Sequence, residues 1–190
     1  MNSDATKSIS SKWSAKQMAM IGLMAAVICI LGPLSISIPV SPVPISLGLL
    51  GVAFAVYMLG MKKGTLSVLI YLLLGLVGLP VFSSFSGGIG KLFGPTGGYL
   101  IGYIPMALIV GFFVEKWTSK IWLHLVGLVL GTASCYLLGT LWLSYQAGMS
   151  FSAALAAGVI PFIPADIVKI LIVLLLGSLL RKRLLKAGLI

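Results

Sequence analysis

Residues 161–180 of the chain, PFIPADIVKILIVLLLGSLL, decide its fold class. The stretch has the length and the apolar character of a transmembrane helix. It nevertheless contains a carboxylate, Asp166, and, three residues later, an amine, Lys169. A charged side chain in the centre of a bilayer costs about 2.5–3.5 kcal/mol on insertion scales, so such groups are rare and are usually paired and functional. We therefore expect a membrane protein that uses this pair.

The composition assigns the rest of the chain to the same class. Apolar residues make up 59% of the 190 residues and charged residues 8%, whereas a soluble domain has about 25% charged residues. The net charge of +10 does not indicate a nucleic-acid interface, because the basic residues lie at the ends of apolar runs and form no patch with aromatic residues. The sequence thus predicts an integral membrane protein.

Apolar runs predict an all-α fold with six transmembrane helices. The runs cover residues 16–34, 45–61, 65–81, 98–114, 121–142 and 164–180. No A-x-A-like cleavage site follows the first run, so we expect it to be a retained helix and not a signal peptide. The fourth helix is expected to be broken at Pro105. The predicted membrane domain spans residues 16–183, between an N-terminal segment, 1–15, and a C-terminal tail, 184–190.

The basic residues predict the orientation of these spans. One side of the six-span arrangement holds Lys7, Lys12, Lys16, Lys62, Lys63, Lys116, Lys120 and the cluster at residues 181–186. The opposite side holds only Lys91. Because cytoplasmic loops carry an excess of Lys and Arg, both termini are expected to be cytoplasmic.

The connections on the predicted outer side are long and rich in Gly, Pro and Ser. They cover residues 35–46, 82–98 and 143–164, whereas the cytoplasmic connections are tight. Long loops carry function more often than tight ones do, and the apolar residues in these loops predict packing over the helices. A lidded cavity open to the outside fits this pattern, and ordinary packed connectors are the alternative.

Pro164 predicts where the last helix begins, because proline is favoured in the first helical turn. Asp166 then lies in that turn, where the helix dipole favours an anion, and Lys169 lies on the same face. Together they suit a polar, nearly neutral group such as a urea or an amide, although a purely structural ion pair remains the alternative. Aromatic residues that could cover an apolar part of the same ligand are Phe85, Tyr99, Trp142 and Tyr145.

Motor and catalytic motifs are missing from the sequence. Residues 87–92, GGIGKL, resemble part of a P-loop, but Phe85 replaces the first required glycine and Leu92 replaces the Ser or Thr that holds Mg²⁺. Cys29, Cys135 and His124 form no metal-ligand spacing. The two cysteines are expected in the core, and His124 is expected in the core or at the membrane interface. We expect a protein that is not an enzyme, with neither a cofactor nor a metal.

Small residues recur at helical spacing in the first predicted helix: Ala15, Ala19, Gly22 and Ala26. Such stripes let helices approach closely in lipid. The stripe predicts either internal packing or a docking surface for another membrane subunit, which a chain without a motor would need.

Three segments resemble the BioY family, the biotin-binding S components of energy-coupling factor (ECF) transporters. They are IPVSPVPISLGLLGV (38–52), LLLGLVGLPVFSSFSGGIGKLFGPTGGYLIGY (72–103) and PFIPADIVKI (161–170). The resemblance runs from about residue 16 to residue 183. It implies an S-component bundle of six helices with both termini inside a bacterial or archaeal cell, and a biotin site near the outer surface.

The resemblance also implies roles for individual residues. Asp166 and Lys169 are expected to engage the ureido ring of biotin. Further implied substrate-binding residues are Pro42, Val43 and Pro44 as a lid, Ser83, Phe85, Gly87 and Gly88 after the third span, and Gly97, Gly98 and Tyr99 at the start of the fourth. Lys91 is a candidate contact for an anionic tail. Ala165 departs from the family, in which glycine is common at that position.

The partners that the resemblance implies are a transmembrane coupling subunit and two cytoplasmic ATPase subunits, with biotin as transported ligand. Ala15, Ala19, Gly22 and Ala26 match the stripe that docks S components onto the coupling subunit. The residues alone leave two alternatives open. One is a stand-alone facilitator or proton-coupled carrier, and the other is an S component for a different small vitamin.

Overall fold

The structure, a computed structural model, describes residues 14–39 and 41–189, and most of them are helical. The helices are α1 (Ala15–Leu31), α2 (Gly48–Leu59), α3 (Met61–Leu76), α4 (Ile89–Leu92), α5 (Gly97–Lys116), α6 (Ile121–Ala147), α7 (Phe151–Gly158), α8 (Ile163–Ile172) and α9 (Ser178–Lys186). Two short strands, β1 (Ser35–Ile36) and β2 (Ile45–Ser46), pair in antiparallel register.

Three helical stretches of the described chain are long and apolar enough to cross a membrane. They are Gly97–Lys116, Ile121–Ala147 and Phe151–Lys186. The third stretch is continuous from α7 to α9, through a 3-10 turn at Ile160–Phe162 and a π-helical turn at Val173–Gly177. Helices α1 and α2 are shorter but equally apolar. These helices confirm the prediction that the chain is a helical membrane protein.

Helix α2 forms the centre of the bundle. Its side chains are buried almost all round, and Val52, Val56 and Tyr57 are fully inaccessible. A helix that is apolar on every side is stable only where protein or lipid surrounds it, and here α1, α3, α5, α8 and α9 do so. Its 12 residues extend about 18 Å, which is shorter than a hydrocarbon layer of about 30 Å. Because neighbouring helices and not lipid surround α2, the helix does not have to match the thickness of the hydrocarbon layer.

Glycines bring α5 and α6 into close contact. A Cβ atom at Gly102 would lie 3.0 Å from the Cα of Cys135, and a side chain at Gly98 would collide with Trp142. On the facing helix, a side chain at Gly131 would collide with Val110. These positions fix the separation of the two helices, and α6 in turn carries polar side chains toward α8.

The strands, α4 and α7 lie at one end of the bundle, which we call the hairpin end. Strands β1 and β2 are tied to the end of α1, because the Ser46 hydroxyl donates to the Gly32 carbonyl at 2.9 Å. Phe82, in the loop between α3 and α4, is fully buried and packs edge-on against Tyr71, with ring centroids 5.5 Å apart. The loops at this end therefore pack on the helices.

The opposite end carries most of the basic residues and is called the basic end. Helices α2 and α3 are separated there only by Gly60, whose φ of +82° a residue with a side chain rarely adopts. Glu115 supports this turn, because its Oε1 accepts the Met61 N–H at 2.9 Å. The connection predicted over residues 62–64 is therefore wrong, since Lys62 and Lys63 belong to the first turn of α3.

Two other local predictions are wrong. Helix α5 continues through Pro105, because the single hydrogen bond lost at proline is compensated where neighbouring helices hold the segment in place. The connection predicted over residues 143–164 contains the last turn of α6 and the whole of α7. Ser150 begins α7, and its side chain accepts from the Ala153 N–H at 3.3 Å. This capping residue is the local signal for the helix.

Gly111 tests the packing of the bundle. A leucine at Gly111 would collide with the backbone of Met61, so Gly111→Leu should destabilise the protein by about 1–3 kcal/mol through overpacking. The measurement is thermal unfolding in detergent, followed by the reaction of a thiol-specific dye with the buried Cys135.

Gly22→Leu is the matched control, because no atom lies within 4 Å of a Cβ placed at Gly22. This variant should unfold at the wild-type temperature. Equal destabilisation of the two variants would contradict the packing described for Gly111.

Candidate functional site

A cavity lies at the hairpin end, between β2, α2, α5, α6 and α8. It is lined by Val43, Pro44, Ser46, Leu49, Tyr99, Tyr103, Cys135, Tyr136, Phe162, Asp166 and Lys169. Its volume is about 60 Å³. Most of the wall is apolar or aromatic, and the charged groups are confined to α8.

The charged groups of this cavity form a buried ion pair. The Lys169 Nζ lies 2.7 Å from the Asp166 Oδ1, and both residues are 5–6% exposed. It is the one ion pair within residues 14–39 and 41–189. Burial of two charges is costly unless further hydrogen bonds satisfy them. Two polar groups from distant elements fulfil this requirement.

Ser46 and Tyr136 complete the pair. The Lys169 amine donates to the Ser46 carbonyl of β2 at 2.7 Å. The Tyr136 hydroxyl of α6 donates to the Asp166 Oδ2 in a short hydrogen bond. The pair therefore fastens α8 to the hairpin on one side and to α6 on the other.

The start of α8 explains why Asp166 and Lys169 face the same way. Pro164 lies in the first turn of the helix, as predicted, and Asp166 follows in that turn. The helix dipole favours an anion in the first turn of a helix. Lys169 comes three residues later, so its side chain reaches back to the same face.

Hydrogen-bonding capacity is left over at the pair. An ammonium group has three N–H donors, and Lys169 uses two of them, toward Asp166 and Ser46. A carboxylate has about four acceptor positions, and Asp166 uses two within the described chain. One donor and about two acceptor positions of the pair thus have no partner in the described chain, which matches a ligand group with adjacent N–H and C=O groups.

Aromatic side chains form the adjoining walls. Tyr99 and Tyr103 lie four residues apart on α5 and present the same face. The Tyr99 hydroxyl donates to the Gly158 carbonyl at 2.9 Å, so its ring is held at the mouth of the cavity. Phe162 closes the opposite wall and is 5% exposed. These surfaces suit the apolar body of a ligand.

A second cavity of about 40 Å³ adjoins the first. The two share Val43, Pro44, Ser46, Tyr99 and Tyr103, and the second adds Tyr71, Ser83, Thr96 and Leu100. The Thr96 hydroxyl is buried and makes no hydrogen bond with the described chain. An unpaired buried hydroxyl is costly, so it marks a position for a polar group or a water. The Val43–Pro44 segment lines both cavities.

The structure brings some of the predicted substrate-binding residues together and leaves others apart. Val43, Pro44, Tyr99, Asp166 and Lys169 line the first cavity, and Ser83 lines the second. The predicted residues outside both cavities are Pro42, Phe85, Gly87, Gly88, Lys91, Gly97, Gly98, Trp142 and Tyr145.

The residues outside the cavities mainly shape the loops. Gly87 packs against the backbone of Leu79, and Trp142 donates from its indole N–H to the Gly94 carbonyl at 2.9 Å. Phe85 and Tyr145 are largely exposed. Lys91 is half-buried in α4, and this desolvation lowers the pKa of its amine.

Several lining residues were not predicted. They are Ser46, Leu49, Tyr103, Cys135, Tyr136 and Phe162. Tyr103 was accessible to sequence reasoning, because it lies four residues after Tyr99 on one helix. Tyr136 had a weaker signal, since Thr132, Tyr136 and Thr140 form a polar line at helical spacing in an apolar span. Ser46 contributes a backbone carbonyl, for which no side-chain pattern exists.

The small-residue stripe of α1 lies on the outside of the bundle. Ala15, Ala19, Gly22 and Ala26 are all exposed, whereas Ala25 and Ile28 on the other face are buried. Internal packing within the described chain therefore does not explain the stripe.

Comparisons with known proteins agree on one family. The model of the BioY family matches residues 4–186. A biotin transporter BioY from Thermotoga maritima is 42% identical and covers 77% of this chain and 86% of its own length. A probable biotin transporter BioY from Pyrococcus horikoshii is 40% identical, with coverage of 82% and 90%.

A solved structure is similar along nearly the whole fold. It is the crystal structure, at 2.1 Å, of the S-component for biotin from an ECF-type ABC transporter. The TM-score is 0.83 at 35% sequence identity, and the match covers 88% of this chain and 91% of that one. The resemblance first seen in three sequence segments is thus confirmed, and the chain belongs to the BioY family.

Proposed function

We propose that this protein is the biotin-binding S component of an ECF transporter. It captures biotin from outside the cell and delivers it inward with energy from partner ATPase subunits. The single observation that carries the proposal is the buried Asp166–Lys169 pair, with unused hydrogen-bonding positions, in a chain of the BioY family.

The chemistry of the pair suits the ureido ring of biotin. This ring presents two N–H donors and one carbonyl acceptor. The free acceptor positions of Asp166 take the N–H groups, and the third N–H of Lys169 donates to the carbonyl. Tyr99, Tyr103 and Phe162 cover the apolar ring system beside it. We assign contacts with the acidic tail to the Ser83 and Thr96 hydroxyls of the second cavity, with Lys91 as a candidate from α4.

The Val43–Pro44 segment acts as the lid. A cavity of about 60 Å³ is smaller than the roughly 300–1,000 Å³ of typical ligand pockets. Displacement of this segment joins the two cavities, because both are lined by it. Pro42 lies exposed beside it, and the Ser41 hydroxyl accepts the Val43 N–H at 3.0 Å. The lid is therefore a short segment pinned at both ends, by Ser41 and by β2.

The absence of motor motifs from the sequence assigns energy supply to partners: a transmembrane coupling subunit and two cytoplasmic ATPase subunits. Ala15, Ala19, Gly22 and Ala26 form the docking surface for the coupling subunit. Their exposure on one face of α1 supports this role, because small residues permit close helix contact in lipid.

The proposed topology has six membrane crossings. They are α1, α2, α3, α5, α6 and the stretch formed by α8 and α9, within a membrane domain of residues 16–183. Residues 1–15 and 184–190 then lie in the cytoplasm, and the basic end faces inward according to the positive-inside rule. The hairpin end with its cavity faces outward.

Asp166→Asn tests the assignment of the pair. Loss of the carboxylate should weaken biotin binding at least about 30-fold, as expected for roughly 2 kcal/mol or more when one partner of a buried charge pair is neutralised. The dissociation constant is measured by calorimetry on purified protein. Wild-type affinity in a folded variant would contradict the assignment.

A double variant keeps this test decisive. Asp166→Asn leaves Lys169 as a lone buried charge, and breaking a buried pair can cost about 3–5 kcal/mol of stability. Asp166→Asn combined with Lys169→Met contains no buried charge. It should be monodisperse and thermally stable, yet should bind no biotin. A thermal-shift screen of other vitamins on the wild-type protein distinguishes biotin from a different ligand.

Gly22→Leu tests the docking surface. A leucine projects from the exposed face of α1 and should block assembly with the coupling subunit, while the affinity for biotin stays within about two-fold of wild type, because the site lies elsewhere. Co-purification with the coupling and ATPase subunits is the measurement. Leu23→Ala, an exposed change beside the stripe, serves as control. Uptake of biotin into liposomes by the chain alone would instead indicate a facilitator.

Single cysteines test the topology. After replacement of Cys29 and Cys135 by alanine, a cysteine at Lys62 should be protected from a membrane-impermeant thiol reagent added to intact cells, and a cysteine at Phe85 should react. The opposite pattern would invert the proposed orientation.

A further inference from the structure

A further polar cavity, separate from the two at the hairpin end, lies at the basic end, between the start of α6 and α9. Its volume is about 320 Å³, and it is lined by Tyr57, Thr118, Ser119, Ile121, His124, Ser178, Arg181, Lys182 and Leu185. It is thus larger than the cavity at the hairpin end and lies within the size range of ligand pockets. It shares no lining residue with the site described above.

The Glu115 carboxylate interacts electrostatically with Arg181, but neither cation of this cavity forms an ion pair within the described chain. Arg181 and Lys182 both line the cavity, and neither forms an ion pair among residues 14–39 and 41–189. The carboxylate of this end within those residues is Glu115, whose Oε1 accepts the Met61 N–H at 2.9 Å. A pocket with two cations and no carboxylate in its wall attracts an anion.

Arg181 is held in a fixed orientation. Its Nη1 donates to the carbonyls of Tyr57 at 3.1 Å and Met58 at 2.7 Å, at the C-terminal end of α2. These bonds satisfy terminal carbonyls of the buried helix. A guanidinium has five N–H donors, so three on Nη2 and Nε are left without partners in the described chain. A fixed fork of donors suits the oxygens of a phosphate.

Uncharged donors complete the wall. The backbone N–H groups of Thr118 and Ser119 make no hydrogen bond with the rest of the described chain, and neither do their hydroxyls. The Nε2 of His124 lies 3.0 Å from the Trp117 carbonyl and must donate to it. In the neutral imidazole, Nδ1 accepts from the Tyr57 hydroxyl at 2.7 Å.

We propose that this cavity binds the phosphate of an anionic phospholipid headgroup. The surroundings of the cavity indicate a lipid as the source of the phosphate, because α9 is an amphipathic helix rich in Arg, Lys and Leu. Leu180 and Leu185 on α9 are exposed, and Trp122 beside the cavity is 61% exposed, as is typical of the membrane interface. Acyl chains then lie along these apolar side chains while the phosphate meets Arg181 and Lys182. Basic pockets between helix ends are suited to such headgroups.

Lys182→Gln tests the proposal without disturbing the bonds of Arg181 to α2. Binding of phosphatidylglycerol and phosphatidylcholine to the purified full chain is measured by native mass spectrometry in detergent. The wild-type protein should retain phosphatidylglycerol preferentially. Lys182→Gln should weaken that binding about five-fold, the effect expected for one basic residue near an anionic headgroup. Ser119→Asp, which places a carboxylate in the wall, should weaken it about ten-fold or more.

Lys62→Gln is the matched control, because Lys62 is an exposed lysine at the same end but does not line the cavity. It should bind phosphatidylglycerol like the wild type. Equal loss in Lys62→Gln and Lys182→Gln, or equal retention of the two lipids, would overturn the proposal.

Two further outcomes would also overturn it. Thermal stabilisation by inorganic phosphate alone, equal to that by phosphatidylglycerol and lost in Lys182→Gln, would make a free phosphate the ligand. Unchanged lipid binding by Lys182→Gln and Ser119→Asp, together with failed assembly with the coupling subunit, would make the cavity a protein-docking site.

Discussion

The buried ion pair between Asp166 and Lys169 is the constraint on which the hairpin end of the molecule depends. Two charges in an apolar bundle are tolerated only when each is further hydrogen-bonded, and the partners come from elements distant in sequence. Ser46 supplies a carbonyl from the hairpin, and Tyr136 supplies a hydroxyl from α6. Hairpin, α6 and α8 therefore have to meet at one point. The close packing of α6 against α5 and the position of Asp166 in the first turn of α8 both help to hold these elements together at that point.

The class of fold and the geometry of the Asp166–Lys169 pair were predictable from the sequence because both rest on local signals. Apolar runs mark the helices, and Pro164, Asp166 and Lys169 lie within the first two turns of one helix. The sequence-based predictions were wrong or incomplete where contacts between distant segments determine the structure. Ser46 lies 123 residues from Lys169, and its contribution is a backbone atom. Helix α5 continues through Pro105 because packing against neighbouring helices outweighs the local effect of proline. The predicted loop between α2 and α3 is reduced to Gly60, because a single residue with positive φ makes the turn.

The two ends of the molecule differ in net charge: the cavity at the hairpin end contains an ion pair, whereas the cavity at the basic end contains two cations. At the hairpin end, one carboxylate and one amine neutralise each other and leave directional hydrogen-bonding positions. That arrangement suits a neutral ureido group, which needs both donors and acceptors but no net charge. At the basic end, Arg181 and Lys182 form no ion pair in the described chain, and the rest of the wall adds uncharged hydroxyl groups but no carboxylate. Such a wall selects anions. The difference follows from one fact of composition: the three acidic residues of the chain are too few to pair with its 13 basic ones.

The proposed lid and the ion pair are connected through a single residue, Ser46. Ser46 follows the Val43–Pro44 segment by two positions, its carbonyl accepts from Lys169, and its hydroxyl donates to Gly32 at the end of α1. A displacement of the lid is therefore limited by Ser46, which holds the far side of the hairpin in place while the segment before it moves. Conversely, a ligand carbonyl that takes the remaining N–H of Lys169 does not have to compete with Ser46. In the proposed function, a ureido group therefore binds while the bond between Lys169 and Ser46 stays intact, so the new hydrogen bonds add to the existing one and do not replace it.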